Sequence, residues 1–342
     1  MAAPYEKIDD NCTENPEVTK SSYYYKEEHL EIDLFQRDWD LRHRQLTCTK
    51  NPGHDNFFPV KEVTLEDMPL PIRHQEVLDY IQAVSQLVVR IRVKHTSSKR
   101  SKDDPFQTFV GRSVFRGSTG CVTKAVDINK IHDFTCEEES CMLQSYKHSV
   151  YGFVEIHANR HVLFDDSEAK SAEVDFFYDS PDNKMSVLTL KGHSVKSDSS
   201  NEESVILRCV THDVGFIHKM GRFLEKAHEA GAAIPRSVKD CSMTDYAIVI
   251  SHPHGSAKVV SFGRLIEYRK TPDRPGSALK RLLRHVSGKQ RLRLRVTNYD
   301  TPTCSGCTGA PVITGYDDGW VWWAMGHSTA DLNAGINMAF TV

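Results

Sequence analysis

The 342-residue sequence lacks any long apolar run, and its first residues lack a basic stretch leading into an apolar one. A membrane-spanning helix needs about eighteen or more apolar residues in a row, and a secretory leader needs the basic-then-apolar order. We therefore predict a soluble, cytoplasmic protein that contacts no membrane. An excess of positive charge is also missing: the formal net charge is −3, which argues against general attraction to nucleic acid.

The chain also lacks an even set of cysteines, because it has nine and at least one thiol cannot pair within the chain. Without a leader, reduced thiols are the default. Cys304 and Cys307 have the spacing of zinc ligands. The nearest second pair, Cys136 and Cys141, lies in a glutamate-rich stretch. We interpret Cys304 and Cys307 as small, partly buried thiols and predict no metal and no cofactor, with zinc as the alternative.

Residues 1–84 are polar, contain several prolines and show little periodicity. We predict a loosely ordered, partly disordered N-terminal extension for this segment. Two parts of it stand out: the stretch YYYKEEHLEIDLF (23–35) is a candidate for one short packed element, and residues 74–86 place apolar side chains at helical spacing. A short helix is therefore expected just before residue 87.

From residue 85 onward the sequence consists of short β-branched or alternating segments separated by turn residues, for example LVVRIRVKH, SVILRCV and DYAIVIS. Regularly spaced short strands indicate an all-β sandwich or barrel rather than βαβ units. Two segments are exceptions: the patterns of residues 219–231 and 275–288 each predict a helix that ends at a glycine.

A cationic run extends from residue 264 to residue 295. Such a run can mark a nucleic-acid surface. The alternation in RLRLRV (291–296) is more simply explained by a strand with one solvated and one buried face. We therefore expect no nucleic-acid partner, and a binding assay titrated with salt would test this.

A chemically informative pattern lies near the C-terminus, where residues 306–312 read GCTGAPV after the stretch YDTPTCS. Acyl transfer needs a nucleophilic hydroxyl or thiol, an imidazole and a carboxylate. It also needs backbone N–H groups aimed at the developing oxyanion, which a glycine-rich turn can present. This stretch resembles the nucleophile loop of the trypsin-like (chymotrypsin-fold) serine proteases. The resemblance makes Thr308 the nucleophile in place of serine, with the N–H groups of Gly306 and Thr308 as the oxyanion hole.

Upstream, GFVEIHANRHVLF (152–164) resembles the strand that delivers the catalytic histidine of this family, which points to His161. Two carboxylates compete for the third role. THDVGFI suggests Asp213 and TDYAIVI suggests Asp245. The family order and spacing favour Asp213, which lies 213 − 161 = 52 residues after the histidine and 308 − 213 = 95 residues before Thr308.

The segment AMGHSTADLNAGINMAF (324–340) resembles the strand and loop that form the specificity pocket of the family. The resemblance assigns Thr303, His327 and Ser328 to substrate binding. In relatives that cleave after glutamate or glutamine, a histidine on this wall binds the P1 side chain, and His327 occupies that place. A preference for Glu or Gln at P1 is therefore expected.

The resemblance covers about residues 85–342. It implies an all-β fold of two antiparallel six-stranded β-barrels, one over about 85–222 and one over about 240–342, and a polypeptide substrate. It implies an endopeptidase that needs no cofactor. Because a threonine replaces serine, a catalytically impaired pseudopeptidase that binds peptides as a scaffold is the alternative.

Overall fold

The computed structural model describes residues 30–35, 43–112, 114–128, 152–182, 184–197, 204–270, 295–315, 321–331 and 335–341. Within these ranges, fourteen strands form two antiparallel sheets, each of which closes on itself. The helix predicted over 275–288 and the Cys136–Cys141 pair lie outside the described residues.

The first barrel contains six strands, joined side by side in the order β3, β4, β5, β8, β7, β6. The pairing of β6 with β3 closes it. The strands are β3 (Val88–Val93), β4 (Phe115–Asp127), β5 (Gly152–Asn159), β6 (Ala172–Phe176), β7 (Leu188–Ser197) and β8 (Ser204–Thr211).

The second barrel repeats this order with β9, β10, β11, β14, β13 and β12, and the pairing of β12 with β9 closes it. Its strands are β9 (Tyr246–Ser251), β10 (Val259–Lys270), β11 (Arg295–Tyr299), β12 (Pro311–Gly315), β13 (Val321–Asp331) and β14 (Ile336–Thr341). If the six strands of each barrel are numbered 1 to 6 along the chain, both barrels have the side-by-side order 1-2-3-6-5-4. The predicted architecture of two six-stranded antiparallel barrels is confirmed.

Two short strands from the N-terminal part of the chain attach to the outside of the barrels. Strand β1 (Asp33–Phe35) pairs with the first residues of β4, and β2 (Phe58–Pro59) pairs with the first residues of β10. Strand β4 has room for β1 because β5 pairs only with its second half, from Cys121 onward.

The N-terminal segment is packed where the structure describes it, which corrects the prediction of a loosely ordered extension. Met68, Ile72 and Val77 are almost fully buried and belong to the same apolar core as the first-barrel strands. Helix α1 (Gln75–Ser85) agrees with the predicted helix before residue 87. The predicted boundary near residue 84 is therefore not a boundary in the packing.

Three further helices lie in the connections: α2 (Asp166–Lys170), α3 (Val214–Ala233) and α4 (Arg236–Cys241). Helix α3 includes the predicted helical stretch 219–231 but begins five residues earlier. It does so because the Asp213 side chain accepts the N–H of Phe216, a standard N-cap contact.

Alternation along β5 decides which of its side chains enter the first-barrel core and which face the second barrel. Val154, Ile156 and Ala158 are fully buried in the first-barrel core. The intervening residues His157 and Asn159 therefore point away from that core, since successive side chains of a strand lie on opposite faces. Both lie against the second barrel: the His157 ring lies close to Gly326, and the Asn159 amide contacts Ser328.

A buried ionic cluster fixes the turn that follows β5. Glu168 bonds the guanidinium of Arg100 through both carboxylate oxygens, at 2.7 Å each, and lies 2.9 Å from Arg116. Arg100 also donates to the carbonyl of His161 at 3.0 Å, and Glu168 accepts the N–H of Phe164 at 2.9 Å. Burial by itself raises the pKa of Glu168, but the two guanidinium groups outweigh burial and hold that pKa below its usual value.

Candidate active site

The loop between β11 and β12 carries Thr308, whose side chain is fully buried. Glycines allow its sharp path: Gly306 has φ +95° and Gly309 has φ +87°, values that favour glycine. The first barrel supports the loop, because Thr119 of β4 donates its N–H to the Thr308 carbonyl at 3.0 Å and its hydroxyl to the Gly306 carbonyl at 2.7 Å.

Gly309→Ala is expected to disrupt this loop. A methyl group at Gly309 would overlap the carbonyl oxygen of Thr119, and the backbone there would keep a left-handed φ. Such strain costs about 1–3 kcal/mol for the dihedral alone. Chemical denaturation should show a loss of at least this size. Gly335→Ala is a useful control, because Gly335 also has a positive φ but has open space around it. An equal loss in the two variants would mean that the contact with Thr119 is unimportant.

The two N–H groups predicted to form the oxyanion hole point at the same atom. Gly306 and Thr308 both donate to the backbone carbonyl oxygen of Glu31, at 2.7 Å and 3.2 Å. The Thr308 hydroxyl makes only a long contact, 3.5 Å to the carbonyl oxygen of Ser328. A peptide carbonyl from the N-terminal part of the chain thus sits directly against the loop.

The side chain of Glu31 enters a polar pocket of the second barrel. One carboxylate oxygen lies 2.6 Å from Nε2 of His327, and the other pairs with Lys50. Lys50 in turn donates to Thr303 and Asn337 at 3.0 Å each. Burial alone would raise the pKa of Glu31, but Lys50 and His327 outweigh it and lower that pKa to about 2.

The orientation of His327 follows from its second contact. The Tyr299 hydroxyl lies 2.6 Å from Nδ1 of His327, and burial raises the pKa of Tyr299 well above its usual value, so this hydroxyl stays protonated. In the neutral tautomer of His327 that carries its proton on Nε2, the hydroxyl donates to Nδ1 and Nε2–H donates to the Glu31 carboxylate. A pocket built in this way binds an anion even with a neutral imidazole, because Lys50 supplies the positive charge.

The docking of Glu31 should weaken in acid. Because the pKa of Glu31 falls from its ordinary 4.5 to about 2 on folding, its stabilising effect is complete above pH about 4.5. The effect is lost as the pH falls toward about 2. We expect the unfolding free energy of the wild type to exceed that of Glu31→Gln at pH 6, with a gap that narrows steadily between pH 4.5 and pH 2. A gap independent of pH would contradict the contacts with Lys50 and His327.

Glu31 lies in a tight turn, in which Ile32 donates its N–H to the Leu30 carbonyl, and a short strand follows it. Leu30 and Ile32 are buried on either side of it, and β1 then pairs with β4 in the register Asp33–Gly117, Leu34–Arg116 and Phe35–Phe115. Main-chain pairing with a sheet edge, combined with one side chain in a pocket, is the way extended peptides are commonly bound. Strand β1 is therefore paired as the main chain of a bound peptide is, and Glu31, in the turn just before it, places its side chain in the pocket.

His161 lies in the turn after β5, next to the Thr308 loop. Its N–H donates to the side chain of Asn159 at 2.8 Å, and Asn159 donates to the hydroxyl of Ser328 at 3.2 Å. A Cβ on Gly309 would lie 3.6 Å from the N atom of Asn159. The turn that carries His161 thus borders both the loop and the strand that carry the other predicted site residues.

The structure does not bring Asp213 to this place, which corrects the choice of Asp213 as the third catalytic residue. Strands β5 and β8 are antiparallel, with Asn159 opposite Ser204 and Gly152 opposite Thr211. Asp213 follows Thr211, so it lies at the far end of the strand pair, roughly 20 Å or more from the His161 turn. Its carboxylate caps α3 instead. Spacing along the sequence could not reveal this strand direction.

Several contacts of the pocket were not expected from the sequence. Lys50 gave no signal, since a single lysine in a polar stretch is usually solvated. Glu31 lay within the stretch singled out as a short packed element, and the alternation of Leu30, Ile32 and Leu34 was its signal. The partnership of Tyr299 with His327 joins residues 28 positions apart on β11 and β13, two strands of the barrel that are separated by β14.

Similar solved structures include proteases. One is the active form of the Rv3671c protease from M. tuberculosis, with 14% identity over 80% of this chain and 82% of that chain and a TM-score of 0.39. Another is Deg5, with 12% identity, 78% and 88% coverage and a TM-score of 0.38. A third is the HtrA-type protease AlgW with a decapeptide, with 10% identity, 79% and 64% coverage and a TM-score of 0.40.

No protein-family model and no curated protein matches the chain. These structures have identities of 10–14% and TM-scores of 0.38–0.40, so the likeness carries no conclusion about function. Among the described residues, no helix has both the length and the apolar character needed to cross a membrane.

Proposed function

We propose that the protein is an endopeptidase that hydrolyses peptide bonds on the carboxyl side of acidic residues, by acyl transfer through Thr308. The observation that supports this is the position of Glu31. Its carbonyl oxygen accepts from the N–H groups of Gly306 and Thr308 while its carboxylate is held by His327 and Lys50. One residue thus uses both the proposed oxyanion hole and the proposed P1 pocket.

In the proposed reaction, the Thr308 hydroxyl attacks the carbonyl carbon of the P1 residue and His161 accepts its proton. The negative charge that develops on the carbonyl oxygen is stabilised by the N–H groups of Gly306 and Thr308. His161 then gives the proton to the leaving amine, and water hydrolyses the acyl ester by the same steps. Asp213 is given no role, because it lies at the far end of the β5–β8 pair.

The pocket supports glutamate over glutamine as the P1 residue. A glutamine could accept the Nε2–H of His327, but it would leave the charge of Lys50 unpaired in a largely buried site. Charge-assisted hydrogen bonds are roughly twice as strong as neutral ones. We therefore expect kcat/KM to be highest for Glu at P1, lower for Gln, and lowest for Lys or Arg, which would meet Lys50.

The test uses a set of peptides that differ only at P1. Since residues 30–35 occupy the site, the assay is run on the full chain and on Glu31→Ala, which empties the pocket and should raise cleavage of added peptides. Lys50→Met should reduce the Glu-over-Gln preference by about tenfold, the value of one charge-assisted bond.

A matched control is Lys99→Met, which removes an exposed lysine on the first barrel. This variant should keep the preference unchanged. Equal cleavage after Glu, Gln and Arg would contradict the proposed pocket. Peptide binding without turnover, in the wild type and in Thr308→Ser alike, would point to the pseudopeptidase.

A further inference from the structure

A cluster of four side chains outside the proposed catalytic machinery has the composition of a metal site. Cys48, His54, His254 and Cys304 each offer one ligand atom, and all four atoms lie within 4.8 Å of one another. The Sγ atoms of Cys48 and Cys304 are 3.6 Å apart, and Nε2 of His54 is 3.5 Å from Sγ of Cys304.

These separations fit a tetrahedral zinc ion. With Zn–S near 2.3 Å and Zn–N near 2.0–2.1 Å, ligand atoms on a tetrahedron lie about 3.8 Å apart for two sulfurs and about 3.5 Å apart for sulfur and nitrogen. A disulfide would instead bring the sulfurs to about 2.05 Å. The two short separations in the cluster agree with those of ligands around a common ion.

The environment of His254 supports the same conclusion. The residue is buried, and neither of its ring nitrogens has a hydrogen-bond partner among the described residues. Buried polar atoms without partners are uncommon and call for an explanation. The carboxylate of Asp33 lies 3.9 Å from Nδ1 of His254, so a negative charge stands close to the cluster although it makes no hydrogen bond to the ring.

Asn51 provides a further outer-shell contact. Its backbone N–H donates to Sγ of Cys48 at 3.5 Å and its side-chain amide donates to Sγ of Cys304 at 3.2 Å. Donors aimed at both sulfurs stabilise thiolates, the form in which cysteine binds metal. Cys307 takes no part, because its thiol donates to the hydroxyl of Ser251.

We propose that Cys48, His54, His254 and Cys304 bind a structural zinc ion. Four protein ligands close the coordination shell, so the ion holds segments together and binds no substrate. It would join three segments: the N-terminal segment that supplies Lys50, the turn Pro253–Gly255 and the loop that leads to Thr308. Of the two cysteines whose spacing suggested zinc binding, Cys304 and Cys307, only Cys304 would then be a ligand.

The test is metal analysis of the purified full chain produced in zinc-containing medium. We expect one zinc per chain, which should be lost in Cys48→Ser and in His254→Asn and kept in Cys307→Ser. Replacing the zinc with cobalt(II) should give the intense visible bands of a tetrahedral site together with thiolate-to-metal charge transfer. A chelator should lower Tm of the wild type.

The cobalt spectrum needs only wild-type protein, so variants that fail to fold do not prevent the test. A chain with less than one zinc per five molecules and no thiolate charge-transfer band with cobalt would overturn the proposal. So would a zinc content unchanged in both Cys48→Ser and His254→Asn.

A different observation supports a second inference, which rests on the proposed function. Glu31 is bound as the proposed P1 residue is, and the following strand β1 is paired with β4. We propose that the Glu31–Ile32 bond is the protein's own cleavage site. Thr308 Oγ would bond to the Glu31 carbonyl carbon, and the C–N bond to Ile32 would break. The proton of Thr308 would pass through His161 to the Ile32 amine, and water would release the Glu31 carboxylate.

Intact-mass spectrometry and N-terminal sequencing of the purified chain test this proposal. We expect a species that begins at Ile32, absent from Thr308→Ala and from Glu31→Ala but present in Glu62→Ala, which changes an exposed glutamate. Its rate of formation should not change on dilution if the reaction is intramolecular. An intact chain that cleaves added peptides after Glu would overturn self-cleavage and leave the proposed function standing. No cleavage of either substrate would overturn both.

Discussion

Thr308→Ala is expected to abolish peptide hydrolysis, lowering kcat by at least about a thousandfold because the attacking oxygen is removed. Thr308→Ser is expected to raise kcat by roughly ten- to a hundredfold, or about 1.4–3 kcal/mol. The reason is the methyl group on the threonine Cβ, which restricts χ1 and crowds the space shared by the hydroxyl and the substrate carbonyl. Initial rates on a peptide with Glu at P1 measure both effects.

The control for this pair is Thr314→Ser, a change of the same size at another buried threonine of the second barrel. It should leave kcat within about twofold, and the unfolding free energy of each variant should be measured alongside. If alanine and threonine at position 308 gave equal rates, Thr308 would not be the nucleophile. A serine variant no faster than wild type would mean that the methyl group does not limit the reaction.

Glu168→Gln is expected to destabilise the protein by about 3–5 kcal/mol, the usual cost of removing one partner from a buried ion pair. The side chains of Glu168, Arg100 and Arg116 are all 0–1% exposed, so the two guanidinium groups would lose their shared counter-charge without gaining water. Tm should fall by roughly 10 °C. At temperatures below Tm, the variant should also be less active than the wild type, because the same carboxylate fixes the turn that carries His161.

Glu155→Gln serves as the comparison, since Glu155 also pairs with an arginine, Arg208, but at a partly exposed position. A pair of that kind contributes no more than about 1 kcal/mol. The loss of unfolding free energy, measured by denaturant titration, should therefore be several times larger for Glu168→Gln than for Glu155→Gln. Similar losses would show that burial of the Arg100–Glu168–Arg116 cluster has little energetic weight.

Much of the fold was predictable because period-two alternation and turn residues are local signals. The strand segments around Val89, Ile156 and Ile248 were visible in the sequence, and so was the helix at residues 75–85. The packing of residues 43–84 was not, since a polar segment with scattered apolar residues can bury them only against a core that the rest of the chain provides. Ile72 and Val77 do this.

The site was predictable where a motif fixes the backbone and unpredictable where contacts join distant residues. GCTGAPV fixed the turn that aims the N–H groups of Gly306 and Thr308. The Asp213 motif was ambiguous, because an aspartate directly before an apolar stretch is also typical of a helix N-cap, and in this chain Asp213 caps α3. The contacts of Cys304 with Cys48 and of Lys50 with Asn337 span more than 250 positions, and no local pattern indicates them.

The shared pairing order of the barrels gives the candidate site an internal symmetry. His161 follows β5, the third strand of its barrel, and Thr308 follows β11, the third strand of the other. The proposed base and nucleophile therefore stand at equivalent places in two copies of one topology, as expected if an ancestral half-sized unit was duplicated and its two copies came to face each other. On this view each barrel would carry half of the proposed reaction centre, so the proposed chemistry would require both barrels.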